Sequence, residues 1–534
     1  MAKLTLHRLL TRGYFPEELP PPFSTTTFAN YVSRRSRVAF AFAGVPTASQ
    51  PEMYYQARTG TLRRPLAILN PIHYAALGDL VIRNWDTLRK AATKSLISLT
   101  SPQVGAEGRA LGRKLPFRAL AERRAELRSG GRFLVRADIS RFYQSIYTHS
   151  VPWALYGRAF AKRYRRARNV GNQLDELLRS CQDGQTNGIP MGPDSSLLIA
   201  EIILSAIDER LKKHAGRAIR YMDDYELVAE TEGDALHLLA ELQNELLKFE
   251  LHLNPSKTGV YPLPVPLEER WTAPLSHEVL DPTAKTFRTQ IIRFFDTAFD
   301  LRMEFPTAAV LKYAIGRIAN LRLTSEHGLI EDLLLQAARI EPGTLALVLR
   351  IILANPKPFS RKKKRADLLI NTILRHARQR HSSEVAWSIW GCIILKIPLP
   401  PDAVRVILGM EDSVCALLLL HAANKNLANV KRSARVLETV MTSSELYDRR
   451  WLLSYEGNIK GWVKCPGGDH VAGDPNFGQL KQASVTFYDP NALVLMPRGS
   501  TRRTIPPPVS EPGAEEVVSE AGTEIISLLG TYDV

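Results

Sequence analysis

Residues 218–229 read as a β-hairpin: a short apolar strand, a polar turn at Asp223-Asp224, and a return through Leu227-Val228-Ala229. Two adjacent carboxylates at a tight turn repel each other, and a fold presenting both is costly unless cations neutralise them. Most Asp-Asp pairs mark solvated turns, so the meaning of this one depends on the rest of the chain. Residues 132–139 read as a second strand, apolar and short, with Asp138 near its end. Carboxylates projecting from adjacent strands beneath an open cleft suit nucleotidyl transfer. There, two magnesium ions held by a few carboxylates activate a 3′ hydroxyl and stabilise departing pyrophosphate.

Partner chemistry is bounded by charge. The 534 residues carry a formal charge of +16, which favours a polyanion: nucleic acid first, an anionic membrane second. No apolar run approaches 18 residues, and the most apolar stretch, 195–207, is broken by Glu201 and followed by Asp208. The first twelve residues lack a signal-type apolar core. Cys181, Cys392, Cys415 and Cys465 are far apart, and Cys465 with His470 makes only half a metal site. The expectation is a reduced cytoplasmic protein without structural metal or membrane partner.

The chain divides by composition. Residues 1–30 are expected to form an N-terminal extended segment, Pro-rich over 13–23. Helical and strand-like segments alternate over 31–285. They include a buried helix starting at Pro193-Asp194, an amphipathic helix over 235–249, and a short strand pair over 251–261 around Asn254-Pro255. Residues 286–465 read as helices separated by breaks such as Glu341-Pro342-Gly343, Asn355-Pro356 and the stretch from Pro398 to Pro401. Such faces are buried by antiparallel helical pairs, as in a HEAT-like repeat domain, although no strict period is visible. Residues 466–534, Gly-rich, then basic and Pro-rich, then acidic, read as a largely disordered tail.

Several motifs resemble one family in its own order. Tyr221-Met222-Asp223-Asp224 resembles the active-site turn of reverse transcriptases, and Asp138 with Phe142-Tyr143 resembles their first palm motif. Gly188-Ile189-Pro190-Met191-Gly192-Pro193-Asp194-Ser195-Ser196 is similar to their loop-and-helix motif, and Leu253-Asn254-Pro255-Ser256-Lys257-Thr258 to their later lysine motif. Arg64-Pro65-Leu66-Ala67-Ile68-Leu69-Asn70-Pro71, Asn84-Trp85, Tyr147-Thr148-His149 and Gly184-Gln185-Thr186-Asn187 are similar to the bacterial abortive-infection and defence-associated branch. Trp451-Leu452-Leu453-Ser454-Tyr455-Glu456 and Lys460-Gly461-Trp462 extend the likeness more loosely into the helical region. The resemblance implies an α+β fold with right-hand polymerase fingers and palm, followed by the all-α region.

It also implies roles. Asp138 and Asp223 would be the main ligands of two Mg2+ ions (Mn2+ as the alternative), with Asp224 completing the cluster and the Ile139 carbonyl reaching a metal. Tyr143 would be the steric gate that favours deoxynucleotides; the rival reading packs Phe142 and Tyr143 into the core. Lys257 would lie near pyrophosphate, or be an exposed lysine in an Asn-Pro turn. Pro190, Met191 and Gly192 would line the nucleotide site, with Arg63, Arg64, Arg113, Lys114 and Arg118 as fingers-side candidates for phosphate. Met191 stands where many reverse transcriptases carry Gln, and cannot make the amide's hydrogen bonds. No primer grip follows Lys257, and no RNase H motif is visible. These departures point toward synthesis that is protein-primed, non-templated or RNA-guided, with Tyr14, Tyr54, Tyr55 and Tyr532 as candidate priming residues.

The expectation is therefore an antiviral-defence polymerase using dNTPs, bound to a non-coding RNA or its DNA product, and forming a homo-oligomer through the helical domain. Two rivals remain: a retron or group II intron-like reverse transcriptase copying a dedicated RNA, and a non-catalytic nucleic-acid-binding scaffold. The scaffold gains nothing from carboxylates placed where a polyanion must lie.

Overall fold

The computed structural model describes residues 3–34, 46–58, 60, 62–105, 108–116, 119–355, 359–430 and 435–492. The described residues form eight strands: β1 Glu52–Ala57, β2 Arg63–Ile68, β3 Pro102–Val104, β4 Leu111–Arg113, β5 Phe133–Asp138, β6 Ala218–Tyr221, β7 Asp224–Ala229 and β8 Gly259–Pro262. The first four form two hairpins, β1-β2 and β3-β4. The rest make one antiparallel sheet in the order β6-β7-β5-β8.

Alternation along the central strands explains why this sheet is covered on both faces. Leu134 lies opposite Val228 and Val135 opposite Leu227. Leu134 and Val228 join Leu127 in a small apolar cluster on one face, while Val135, Ala137, Leu227 and Ala229 face the main core. Successive residues of a strand point to opposite sides, so one register fills both layers. Behind the sheet runs the helix Asp194–Asp208, in which all residues but Ala206 are buried.

The 251–261 stretch departs from the expected strand pair. Only Gly259–Pro262 pairs along β5, and Leu253 makes a single bridge to Ile139. The Asn254 side chain instead accepts from the Ser256 backbone N–H at 3.2 Å. That turn, built around Pro255 with no N–H to donate, takes the chain out of the ladder.

Among the described residues beyond 286, the helices of eight or more residues are Phe287–Glu304, Val310–Ala319, His327–Ile340, Leu345–Ala354, Lys362–Ala377, Ser382–Leu395, Pro401–Leu408, Ser413–Asn424 and Trp451–Ile459. Val310–Ala319, Leu345–Ala354, Ser382–Leu395, Ser413–Asn424 and Trp451–Ile459 follow one another in a row. His327–Ile340, Lys362–Ala377 and Pro401–Leu408 form a second row against it. One buried cluster runs continuously from Leu4 to Tyr488, so this region and the sheet-bearing region share a core. The Trp451 indole N–H donates to the Ile68 carbonyl at 3.1 Å, and the Asn70 amide to the Leu446 carbonyl at 2.8 Å.

Two segment expectations are corrected. Residues 1–30 are not extended throughout: helices Leu6–Arg12 and Thr26–Ser33 form, burying Leu9, Leu10, Phe28 and Val32. Thr5 caps the first by accepting from the Arg8 N–H at 3.1 Å. The tail is folded as far as residue 492, with helices His470–Gly473 and Phe477–Gln482. Phe487 and Tyr488 are fully buried, and Tyr488 forms a bridge with Phe23. The Phe487 ring lies 5.9 Å from Phe15 and 5.3 Å from Phe28; the N-terminal aromatics and the tail aromatics bury each other. The basic and acidic parts of the tail lie outside the described residues.

Candidate active site

The β6-β7 turn consists of Met222 and Asp223, closed by the Tyr221–Asp224 pair. Met222 sits at φ +58°, a left-handed conformation that costs energy for a side chain of this kind. It is gripped on both sides. Its N–H donates to the Thr100 hydroxyl at 3.0 Å, and its carbonyl accepts from the Arg220 guanidinium at 2.8 Å.

Arg220 is fully buried and is held in turn. Asp208 accepts from it at 2.9 Å, and the two oxygens of Glu201 accept at 3.0 Å each. Hydroxyls of Ser98 and Thr100 donate to Glu201 at 3.0 and 2.8 Å, and the Tyr225 hydroxyl donates to Asp208 at 2.9 Å. Burial alone would lower the Arg220 pKa, but Asp208 and Glu201 raise it well above its usual value, so the guanidinium is a fixed cation. The two acids that interrupt the apolar 195–207 stretch are its counterions. The sequence signal for this network was those two acids with one arginine on a neighbouring strand.

On the other side of the turn, Asp138 faces Asp224 across β5 and β7. The Ile139 N–H donates to the Asp223 carbonyl at 3.3 Å, which ties the end of β5 to the turn. Asp138 accepts from the Asn254 side-chain amide at 2.9 Å and from Lys257 at 3.3 Å. Asn254, whose side chain had been given no role, thus orients a carboxylate. Burial, then the charge of Asp138, pushes the Asp223 carboxyl up to about 6, opposed by Lys257 and Arg64. Burial, then Asp223 and Asp138, pushes Asp224 to about 8, opposed by Lys257. Three carboxylates thus face one half-exposed ammonium and one arginine.

The donor set suits a hard divalent cation: carboxylate oxygens, no sulfur or imidazole, and charge in excess of the local counterions. Among the described residues Asp138, Asp223 and Asp224 do not all lie within 4.8 Å of one another, as His376, His381 and Glu384 do, although Asp224 is in hydrogen-bonding reach of Asp138. The His376 group is no comparable cation site, because the Arg63 guanidinium already pairs with Glu384 and lies 2.8 Å from His381 Nδ1. Cys465 and His470 also have separate partners: Asn458 donates to the thiol at 3.3 Å, and Ser454 lies 2.9 Å from the imidazole.

The remaining candidates divide. Phe142 and Tyr143 lie on a single turn of helix, Phe142–Ser145, and both are buried, with ring centroids 5.4 Å apart. The Tyr143 carbonyl accepts from the Ile189 N–H at 2.8 Å, which fixes the following loop against it. In that loop the Met191 carbonyl accepts from the Ala67 N–H at 2.7 Å, and Pro190 accepts from the Ser196 hydroxyl at 2.5 Å. Gly192 has φ +124°, and a Cβ there would lie 3.1 Å from Pro16, so the turn needs glycine. Arg109, which had been given no role, donates to the Gly192 carbonyl at 2.5 Å, the Phe15 carbonyl at 2.8 Å and Asp194 at 2.7 Å.

On the fingers side Arg64 is largely buried and its charge reaches Asp223, whereas its neighbour Arg63 is turned to the helical region. Arg113 donates to the Tyr221 hydroxyl at 3.0 Å. Lys114 is exposed, and Arg118 lies outside the described residues. Two priming candidates are corrected. Tyr14 and Tyr54 are fully buried, their hydroxyls donating to the carbonyls of Leu69 at 2.5 Å and Glu18 at 3.2 Å. Burial raises both phenols well above their usual pKa, so neither is a reachable nucleophile. Tyr55 is 40% exposed, and Tyr532 lies outside the described residues.

Comparison with known proteins agrees with the chemistry of this turn. Residues 87–271 match the family "Reverse transcriptase (RNA-dependent DNA polymerase)". No curated protein sequence matches the chain. Among solved structures, a telomerase from Candida albicans in complex with a TWJ fragment of telomeric RNA aligns with 12% identity and a TM-score of 0.28. The alignment covers 68% of this chain and 62% of the telomerase chain. No helix among the described residues is long and apolar enough to cross a membrane. Residues 87–271, with the Asp138–Asp224 pair at their centre, are a reverse-transcriptase domain of the RNA-directed DNA polymerase kind.

Proposed function

We propose that this chain is a reverse transcriptase of antiviral defence that transfers dNMP from dNTPs to a 3′ hydroxyl or to a tyrosine of the protein, guided by RNA or without a conventional template. The observation that carries the polymerase reading is the face-to-face placement of Asp138 and Asp224 beside Asp223, with too little positive charge to balance them. Asp138, Asp223 and Asp224, with the Ile139 carbonyl, would hold two Mg2+ ions; when bound, these supply charge stabilisation of the attacking and leaving oxygens. Asn254 orients Asp138. Lys257, at 3.3 Å from Asp138, would donate a proton to a phosphate oxygen. Tyr143 and the 190–192 loop support the sugar and base side, and Arg64, Arg113 and Lys114 the triphosphate side.

The defence reading rests on the motifs similar to the abortive-infection branch, on Met191, and on the two-row helical region, which we read as a HEAT-like repeat that assembles oligomers. Loss of Tyr14 and Tyr54 as nucleophiles leaves Tyr55 and Tyr532 for protein priming.

Purified protein supplied with labelled dNTPs and Mg2+ should incorporate label, and Asp223→Ala should reduce incorporation by about three orders of magnitude with the circular dichroism spectrum unchanged. Full activity in that variant would sink the polymerase reading. Label that protease digestion does not shift argues against a tyrosine link, and co-purified RNA with matching cDNA favours the retron-like rival.

A further inference from the structure

Between Tyr156 and Arg168 the chain does something no catalytic role requires. The stretch Arg158-Ala159-Phe160-Ala161-Lys162-Arg163-Tyr164-Arg165-Arg166-Ala167-Arg168 holds six cations and no acid. It includes the short helix Arg158–Arg163, and every residue from 156 to 168 except Ala161 is exposed.

Exposed aromatics accompany the cations. Tyr156, Phe160 and Tyr164 are 36%, 46% and 42% exposed, where apolar rings are ordinarily covered. They form a ladder: Tyr156 to Phe160 is 5.6 Å between ring centroids, and Phe160 to Tyr164 is 4.5 Å. Arg163 lies 5.6 Å from the Tyr164 ring. Tyr156 closes the helix Ser150–Tyr156, Phe160 lies in Arg158–Arg163 and Tyr164 caps that helix, so the ladder runs across the break at Gly157.

The patch is anchored beside the catalytic cleft. Arg158 donates to the Glu250 carboxylate at 3.0 Å. Four residues further along, Asn254 bonds Asp138. Four extended residues span at most about 14 Å, so the anchor and the catalytic carboxylate's partner are that close.

We propose that residues 156–168 are a landing surface for single-stranded nucleic acid entering or leaving the cleft, its bases stacked on Phe160 and Tyr164 and its phosphates on the flanking arginines. Rings offer stacking to any base, while arginines neutralise phosphates, and this pairing of groups is the common form of sequence-tolerant single-strand recognition. An anionic membrane shares the charge preference. The apolar part here is three rings spread over the ends of two short helices, which offers bases discrete stacking faces but lacks the broad aliphatic face of an interfacial helix. The proposal rests on the polymerase reading only for the origin of the strand.

The test uses the full-length protein and fluorescein-labelled 20-nucleotide oligo(dT) and oligo(U), followed by anisotropy over a range of salt concentrations. Phe160→Ala/Tyr164→Ala should weaken binding at least about tenfold, as expected for losing two stacking contacts. Arg163→Glu/Arg165→Glu/Arg166→Glu should flatten the slope of log K against log salt by about 2, three phosphates' worth for a single strand. Both variants should retain the wild-type melting temperature and incorporation on a short annealed primer–template at saturating concentration. Asp223→Ala should bind the oligonucleotides normally, which separates failure of this surface from failure of the catalytic assignment. Unchanged affinity and slope in both patch variants would overturn the proposal. So would wild-type sedimentation with phosphatidylserine vesicles that the patch variants lose while their oligonucleotide binding persists.

Discussion

Two acidic groups stand on opposite sides of the Met222–Asp223 turn, and they are balanced in opposite ways. Behind it, Glu201 and Asp208 are fully enclosed, yet each oxygen has a donor from Arg220, Ser98, Thr100 or Tyr225. In front of it, Asp138, Asp223 and Asp224 share half-exposed Lys257 and Arg64. Carboxylates that a fold uses for structure arrive with their counterions built in. Those left short of cations, with Asp223 and Asp224 pushed upward by burial and by neighbouring carboxylates, require charge from outside. The rear group also holds Met222 in its left-handed conformation, so the satisfied cluster maintains the strained presentation of the unsatisfied one.

Breaking the rear group should have the largest effect. Arg220→Met leaves two buried acids without their cation, and loss of one partner from such a pair costs about 3–5 kcal/mol. Chemical denaturation should show this as a lower midpoint. At temperatures where the variant stays folded, nucleotide incorporation should fall while oligonucleotide binding persists, because the turn is no longer held. A variant as stable as wild type would mean the network is ornamental to the turn.

The front group should respond in the reverse sense. Asp224→Asn removes a repelling charge, so in EDTA its melting temperature should equal or exceed that of wild type even as activity is lost. Mg2+ at a hundredfold excess over its dissociation constant should stabilise wild type by about 2.7 kcal/mol. The same titration should leave Asp224→Asn much less affected. A thermal-shift assay reads both effects. Equal Mg2+ responses in the two proteins would remove Asp224 from the metal site.

What could be read from the chain follows the same division. The Asp223-Asp224 hairpin, the strand ending at Asp138 and the helix after Pro193 were legible because alternation, turn residues and apolar density are local signals. The Arg220 network was half legible: Glu201 and Asp208 showed as interruptions, but their partner is a tertiary fact. Tyr14 and Tyr54 misled because a tyrosine near an N-terminus or in a hairpin gives no local sign of complete burial. Residues 466–492 looked disordered because glycine and polar residues dominate their composition. Their order comes from Phe487 and Tyr488 packing on Phe28 and Phe23, more than four hundred residues earlier, and from Phe477 and Phe487 packing on Tyr455 and Trp451.

The gentlest probe of the contrast is pH. Asp223 and Asp224 have folded-state pKa values pushed above the ordinary 3.8, to about 6 and about 8. In that range the folded protein binds more protons than the unfolded chain. In EDTA, their contribution to stability is therefore fully present below pH 3.8 and is lost as pH rises through 6 and 8. Buried His73, pushed down to about 4 by burial, acts the other way, favouring the fold as pH rises from 4 to 6.5. Other buried groups, Glu52 among them, are common to both proteins, so between pH 6.5 and 8.5 metal-free wild type should lose slightly more melting temperature than Asp223→Asn/Asp224→Asn, and that difference reads the front carboxyls. Saturating Mg2+ should flatten the wild-type curve, since a bound cation replaces the proton. Identical slopes for both proteins in EDTA would show that the front carboxylates are already balanced from within, as the rear ones are.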